Sequence, residues 1–156
     1  MEALAIQDQL ERNLCYGCGP ANPDGLQIKS YYSGSEATCT FRPRPEHAAG
    51  PPHFLNGGIL ATVIDCHGVC TAVAAAYEAE SRPIGSDPPL WYVTGSLTVN
   101  YLLPTPIGEP LVLRARVKES SGRKTWVEVE ATSADREVAR ATVLAIRVPL
   151  SFLEPA

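Results

Sequence analysis

From Asn56 to Ala79 the chain contains no proline, although 14 prolines are scattered through its 156 residues. Ile59, Val63, Cys66, Cys70 and Val73 recur there at helical spacing, and Leu60, Ile64, His67 and Thr71 fill the neighbouring row. The result is a long helix that is apolar over most of its surface. A helix of that kind is stable only when buried, here against a sheet. Alanines 61, 72, 74, 75 and 76 favour helix and let neighbours approach closely. This stretch decides what the remaining chain must do, which is to cover it.

The other segments read as cover. Residues 4–13 have the spacing of a short amphipathic helix, and residues 15–25 are turn chemistry throughout. Strands are expected over 26–32 and 37–42, joined at Ser33-Gly34-Ser35. Residues 42–54 hold four prolines and lead irregularly into the helix. After a loop over 81–89, strands are expected over 90–102, 108–118, 125–132 and 137–148. Leu111, Leu113, Ala115 and Val117 alternate with Arg114 and Arg116, and Val127, Val129 and Ala131 with Glu128 and Glu130. The order is two strands, one helix, then four strands in a meander. It gives an α+β class, with an antiparallel sheet of six strands wrapped around one long central helix. Residues 1–156 read as one domain, with a short helix and a Cys-x-x-Cys turn in 1–25 and the core in 26–149.

Composition removes several functions. Net charge is −4 with no long basic run, so nucleic acid is not an expected partner. Asp65, His67 and several threonines in the long helix argue against a membrane partner. The N-terminal residues lack a basic start followed by an apolar run, so no secretory signal is expected. Five cysteines, an odd number, fit reduced thiols and a cytoplasmic location.

Two features of the helix carry chemistry. Asn56-Gly57-Gly58 opens it with small residues, and the first N–H groups of a helix lack internal partners and carry the positive end of its dipole. They suit an anion or a developing oxyanion. Asp65 stands among Ile, Val, Cys and Ala, where a carboxylate is costly unless paired or used. Gly57 and Asp65 are eight residues apart, about 12 Å along one helix. One carbonyl group is too small to be served by both within a single chain. A twofold pairing, with Gly57 of one copy meeting Asp65 of the other, resolves this.

Several local motifs then converge. Asn56-Gly57-Gly58-Ile59-Leu60-Ala61-Thr62-Val63-Ile64-Asp65 resembles the His-Gly-Gly…Asp signature of the PaaI-like acyl-CoA thioesterases, which have the hotdog fold. Cys15-Tyr16-Gly17-Cys18-Gly19 with Asn22-Pro23-Asp24-Gly25-Leu26 resembles a leader found in a branch of that family. Residues 95–104, ending in Leu103-Pro104, are similar to its third strand and proline exit. The resemblance spans roughly residues 15–148 and implies thioester hydrolysis. Asp65 is then general base or nucleophile, the Gly57 N–H the oxyanion donor, and Thr94 a group that holds the water or the carboxylate. Asn56 occupies the place of the family's histidine, and Asn56 or His53 is the candidate to polarise the carbonyl. Gly58 and His53 fall on the substrate side. Arg123 and Lys124 form a basic turn suited to the phosphates of coenzyme A.

The implied partner is a small acyl-CoA thioester, with coenzyme A part of the substrate and no separate cofactor. The implied assembly is a homodimer, which in the family often pairs into a homotetramer. The alternative on the same fold is a catalytically silent acyl-CoA or lipid-binding protein. The Asp/His loop motif of hydratases is not found. His67 is expected to be a satisfied core histidine. Cys15 and Cys18 are half of a zinc site, and no second Cys-x-x-Cys or paired histidine motif stands elsewhere. The expectation is therefore structural thiols and no metal.

Overall fold

The computed structural model describes residues 3–156. Six strands form one sheet: β1 (Ser30–Ser33), β2 (Glu36–Phe41), β3 (Trp91–Tyr101), β4 (Leu111–Ser121), β5 (Lys124–Ser133) and β6 (Arg136–Val148). The one α-helix among the described residues, α1 (Gly57–Ala79), follows β2. All five strand pairings are antiparallel. The expected α+β architecture, six antiparallel strands and one long central helix, is the observed one.

Strand order corrects the expected meander of four. The sheet runs β1-β2-β4-β5-β6-β3. β4, β5 and β6 do form a meander, but β3 pairs with β6 and takes the edge farthest from β2. The reason lies in α1, which carries the chain across the sheet face and delivers β3 to the opposite side. β6 is apolar on both faces from Leu144 to Val148, and it is flanked by β5 and β3 rather than left at an edge.

The alternation read from the sequence sets the inner face. Leu111, Leu113, Ala115, Val127, Val129, Ala131, Ala139, Ala141, Val143 and Ala145 are buried and join Leu60, Val63 and Ile64 of α1 in one core. The outer face carries exposed ion pairs such as Arg114 with Glu36 and Lys118 with Glu128, which contribute little. Two-residue turns connect β1 to β2 and β5 to β6. Gly34 and Ser35 (φ 56° and 74°), and Ala134 and Asp135 (φ 49° and 58°), take the left-handed values that such turns demand.

Two N-terminal expectations are corrected together. Residues 4–13 do not form a helix; only Gln7–Gln9 make a 3-10 turn, and Arg12 sits at φ 57°. The first strand begins at Ser30, not at residue 26. A buried polar network explains both. Gln7 Nε2 donates to Ser30 Oγ at 3.0 Å, the Ser30 N–H donates to Gln7 Oε1 at 2.8 Å, and the Ile6 N–H donates to the Ser30 carbonyl at 2.8 Å. Ser30 Oγ in turn meets His67 Nδ1 at 2.8 Å, and His67 Nε2 lies 3.2 Å from the Ala37 carbonyl. A carbonyl can only accept, so Nε2 carries the proton and Nδ1 accepts from Ser30. His67 is fully buried and held neutral, its pKa pushed down to about 4 by burial. Meanwhile the Leu26 and Ile28 N–H groups donate to Tyr16 and Gly17 carbonyls, so residues 26–29 bind the Cys-x-x-Cys turn instead of extending β1.

At Gly68 α1 lies directly against β6. A Cβ there would lie 2.6 Å from Val143 Cγ2 and 2.9 Å from Val143 Cβ, inside the core. Gly68→Val should therefore lower stability by about 2–3 kcal/mol through overpacking, read as a shift of the urea midpoint.

Candidate active site

Asp65 lies on α1 where the helix faces β3. It is half-buried, and the Thr94 hydroxyl donates to its Oδ1 at 2.7 Å. Thr94 owes its aim to an irregularity of β3. The register with β6 shifts between Thr94 and Ser96, a bulge that turns the strand locally. Gly95 permits it: a Cβ at that position would meet Ile146 Cδ1 at 2.4 Å. Burial raises the Asp65 pKa above the ordinary carboxylate range, the Thr94 hydrogen bond opposes that rise, and the nearby Cys18 adds to it. Asp65 and Thr94 line a cavity of about 160 Å3 together with Val69, Val73, Trp91 and Tyr92. The cavity therefore offers one carboxylate against mainly apolar walls, the setting in which a base or nucleophile acts on a bound neutral group.

The start of α1 is a separate place. Asn56 is its N-cap: its Oδ1 accepts from the Gly58 N–H at 2.8 Å and the Ile59 N–H at 3.1 Å. The Gly57 N–H has no acceptor among the described residues. The segment is clamped from below. Leu55 N–H donates to the Thr105 carbonyl at 2.8 Å, Asn56 N–H to the His47 carbonyl at 2.9 Å, and Ile107 N–H to the His53 carbonyl at 2.8 Å. Tyr101, at the end of β3, donates its hydroxyl to the Gly57 carbonyl at 2.8 Å. Sequence reasoning missed Tyr101, because a tyrosine in a strand carries no motif. Gly57 lines a second groove with Leu60, Tyr101, Leu102 and Thr105, which contains neither Asp65 nor Thr94.

The structure thus unites Asp65 with Thr94, and groups Gly57, Gly58, Asn56 and His53 around the helix start, but does not join the two groups within one chain. β3 touches both, at Thr94 and at Tyr101, and as an extended strand it holds them apart. His53 is exposed, with its ring edge-on to Phe54. His47, in the loop before α1, is buried; its Nδ1 accepts from the Arg44 N–H at 3.0 Å and its ring packs on Phe41. Arg123 and Lys124 are exposed at the β4–β5 turn. Lys124 pairs with Ile146, which pairs in turn with Val93, so the basic turn sits at the Thr94 end of the sheet.

The cysteines come together in a way that their spacing along the chain did not reveal. Cys15 and Cys18 do not lack partners: with Cys66 of α1 their sulfur atoms all lie within 4.8 Å of one another. Cys15 and Cys66 Sγ are 3.6 Å apart. Contact with Cys15, Cys66 and Cys70 pulls the Cys18 thiol down; contact with Cys15 and then Cys18 pushes Cys66 up, and contact with Cys18 together with burial pushes Cys70 up. The Cys66-x-x-x-Cys70 spacing was visible in the sequence, but on an apolar helix it reads as packing.

The chain is similar to several known proteins. Over 128 residues the chain is 28% identical to acyl-coenzyme A thioesterase THEM4 of Xenopus laevis, covering 81% of this chain and 51% of that protein. The chain thus spans about half the length of that relative. A solved thioesterase superfamily protein from Shewanella loihica is 37% identical, with a TM-score of 0.63 over 83% of this chain and 97% of that one. The fold is shared with the PaaI protein of E. coli (17% identity, TM-score 0.65, 80% and 81% of the two chains). It is also shared with smu.793 of Streptococcus mutans, solved bound to acetyl CoA (18% identity, TM-score 0.63, 78% and 88%). Residues 53–146 match the family described as acyl-CoA thioesterase N-terminal domain. That match spans more than half of the chain and takes in α1 with Asp65 and β3 with Thr94. The chain belongs to this acyl-CoA thioesterase family, on the hotdog fold.

Proposed function

We propose that this chain hydrolyses an acyl-CoA thioester to a carboxylic acid and free coenzyme A, at a site built from two copies. The observation that carries this reading is the Asp65 carboxylate, half-buried on an apolar helix and held by Thr94 at 2.7 Å. As general base, Asp65 takes a proton from water while the water oxygen attacks the thioester carbon. The oxyanion is met by the Gly57 N–H of the partner subunit, a donor with no acceptor among the described residues of its own chain. Collapse expels the coenzyme A thiolate, which recovers the proton from Asp65. As nucleophile, Asp65 would attack the same carbon and water would then cleave the mixed anhydride. Either route needs the same two groups and no further cofactor. Asn56, with its Oδ1 committed to the cap, has only its amide N–H donors left for a carbonyl. The five free thiols suit a reducing compartment, the cytoplasm.

The second reading is a silent acyl-CoA binder. What favours it is Asn56 in the place of the family's histidine. Thiol release from a panel of acyl-CoAs of differing chain length and aromatic character separates the two. Turnover on any member supports the hydrolase. Binding without release on every member supports the silent protein.

In this reading the Arg123-Lys124 turn meets the phosphates of coenzyme A. Arg123→Glu with Lys124→Glu should raise KM for acyl-CoA roughly tenfold or more with kcat little changed. The KM for the matching acyl-pantetheine, which lacks the nucleotide, should stay level. Equal losses on both substrates would remove these residues from the site.

A further inference from the structure

We propose that Cys15, Cys18, Cys66 and Cys70 form a four-thiolate zinc site that fastens the N-terminal turn to α1. The inference does not depend on the thioesterase reading. Zinc–sulfur bonds of about 2.3 Å in a tetrahedron place sulfur atoms about 3.8 Å apart. Here three sulfur atoms lie within 4.8 Å of one another, and Cys15 and Cys66 are separated by 3.6 Å. Cys70 follows Cys66 by one helical turn on the same face, and it lines the same cavity as Cys15, Cys18 and Cys66. The two pairs, C-x-x-C in the turn and C-x-x-x-C on the helix, both have spacings found in structural zinc sites.

The turn is shaped to deliver its sulfurs. Its Gly19 N–H donates to the Cys15 carbonyl at 2.8 Å. Asn13 holds it from beneath: Oδ1 accepts from the Cys15 N–H at 3.0 Å, and Nδ2 donates toward Cys18 Sγ at 3.7 Å. Donors to ligand sulfurs are the usual support of such sites. Gly17 lets the turn rest directly on the helix, since a Cβ there would lie 2.3 Å from Cys66 Sγ and 2.9 Å from Thr62 Cγ2. Ordinary core cysteines need none of these arrangements. Four thiolates close the coordination shell and leave no position for water, so the ion is structural and takes no part in hydrolysis. Binding releases the thiol protons to solvent.

The test is metal content and spectroscopy on the full chain, purified under reducing conditions without added metal. About one zinc per chain is expected, visible as added mass in native mass spectrometry. Cobalt exchanged into the site should give sulfur-to-cobalt charge-transfer bands and the intense visible bands of a tetrahedral thiolate site. Cys18→Ser should lower zinc retention ~tenfold or more, and so should Cys15→Ser, whose exposed side chain can be changed without opening the core. Cys39→Ser should keep the metal. Reduced protein with neither zinc nor cobalt–thiolate bands overturns the proposal. So does zinc that survives both Cys15→Ser and Cys18→Ser, or a Cys15–Cys66 disulfide in place of metal.

Discussion

Asp65→Asn should lower kcat by roughly two orders of magnitude or more while leaving the fold intact. The substitution keeps the volume and the hydrogen bond to Thr94, because the Asn carbonyl oxygen can still accept from that hydroxyl. What it removes is the negative charge. An amide neither takes a proton from water nor attacks a thioester carbon, so both routes fail together. Stability should change little, since a half-buried carboxylate whose pKa is already raised by burial loses little on becoming neutral. KM should move much less than kcat, because in the proposed site substrate binding rests on the cavity walls and the basic turn. Circular dichroism and the urea midpoint confirm that the mutant is folded. Turnover near the wild-type rate in folded mutant protein removes Asp65 from the chemistry.

Mixing two inactive variants should restore activity. Gly57→Val is expected to fill the place where the oxyanion would sit; the three atoms nearest to a Cβ at Gly57 all belong to Tyr101, the first at 3.5 Å, an ordinary contact that the backbone tolerates. Asp65→Asn removes the base. Each homodimer then carries two damaged sites. A heterodimer carries one doubly damaged site and one intact site, because the intact Gly57 comes from one copy and the intact Asp65 from the other. Random exchange makes about half of the dimers mixed, so about a quarter of all sites should recover. The physical basis is the separation of the two residues: Asp65 and Gly57 line different cavities of one chain and are touched by β3 at Thr94 and Tyr101. Mass spectrometry establishes that heterodimers have formed. If they form and stay inactive, the two residues do not serve one carbonyl.

Local chemistry is what could be read from the sequence. The bounds of α1 were legible because Asn56 caps it and no proline interrupts it until past Ala79. Asp65 stood out because its neighbours on the helix are apolar. The inward rows of β4 and β5 followed from strict alternation. Partner choice at long range was not legible. Nothing local says that β3 will pair with β6 rather than β4, since that depends on where α1 sets the chain down. The segment before Ser30 was misread for a similar reason. Residues 4–13 have amphipathic spacing, whereas the Gln7 side chain is buried in hydrogen bonds to a residue 23 positions away. Cys66 and Cys70 passed as helix packing because the turn bearing Cys15 and Cys18 reaches them only in three dimensions.

In the proposed reaction water is the acceptor of the acyl group. The most direct measurement is turnover of the best acyl-CoA in water enriched in oxygen-18, with thiol and acid followed together. Hydrolysis predicts one free thiol per carboxylic acid formed, with solvent oxygen in the acid and the whole signal dependent on Asp65. Acyl-CoA that is bound but releases no thiol, or thiol released without labelled acid, would contradict it.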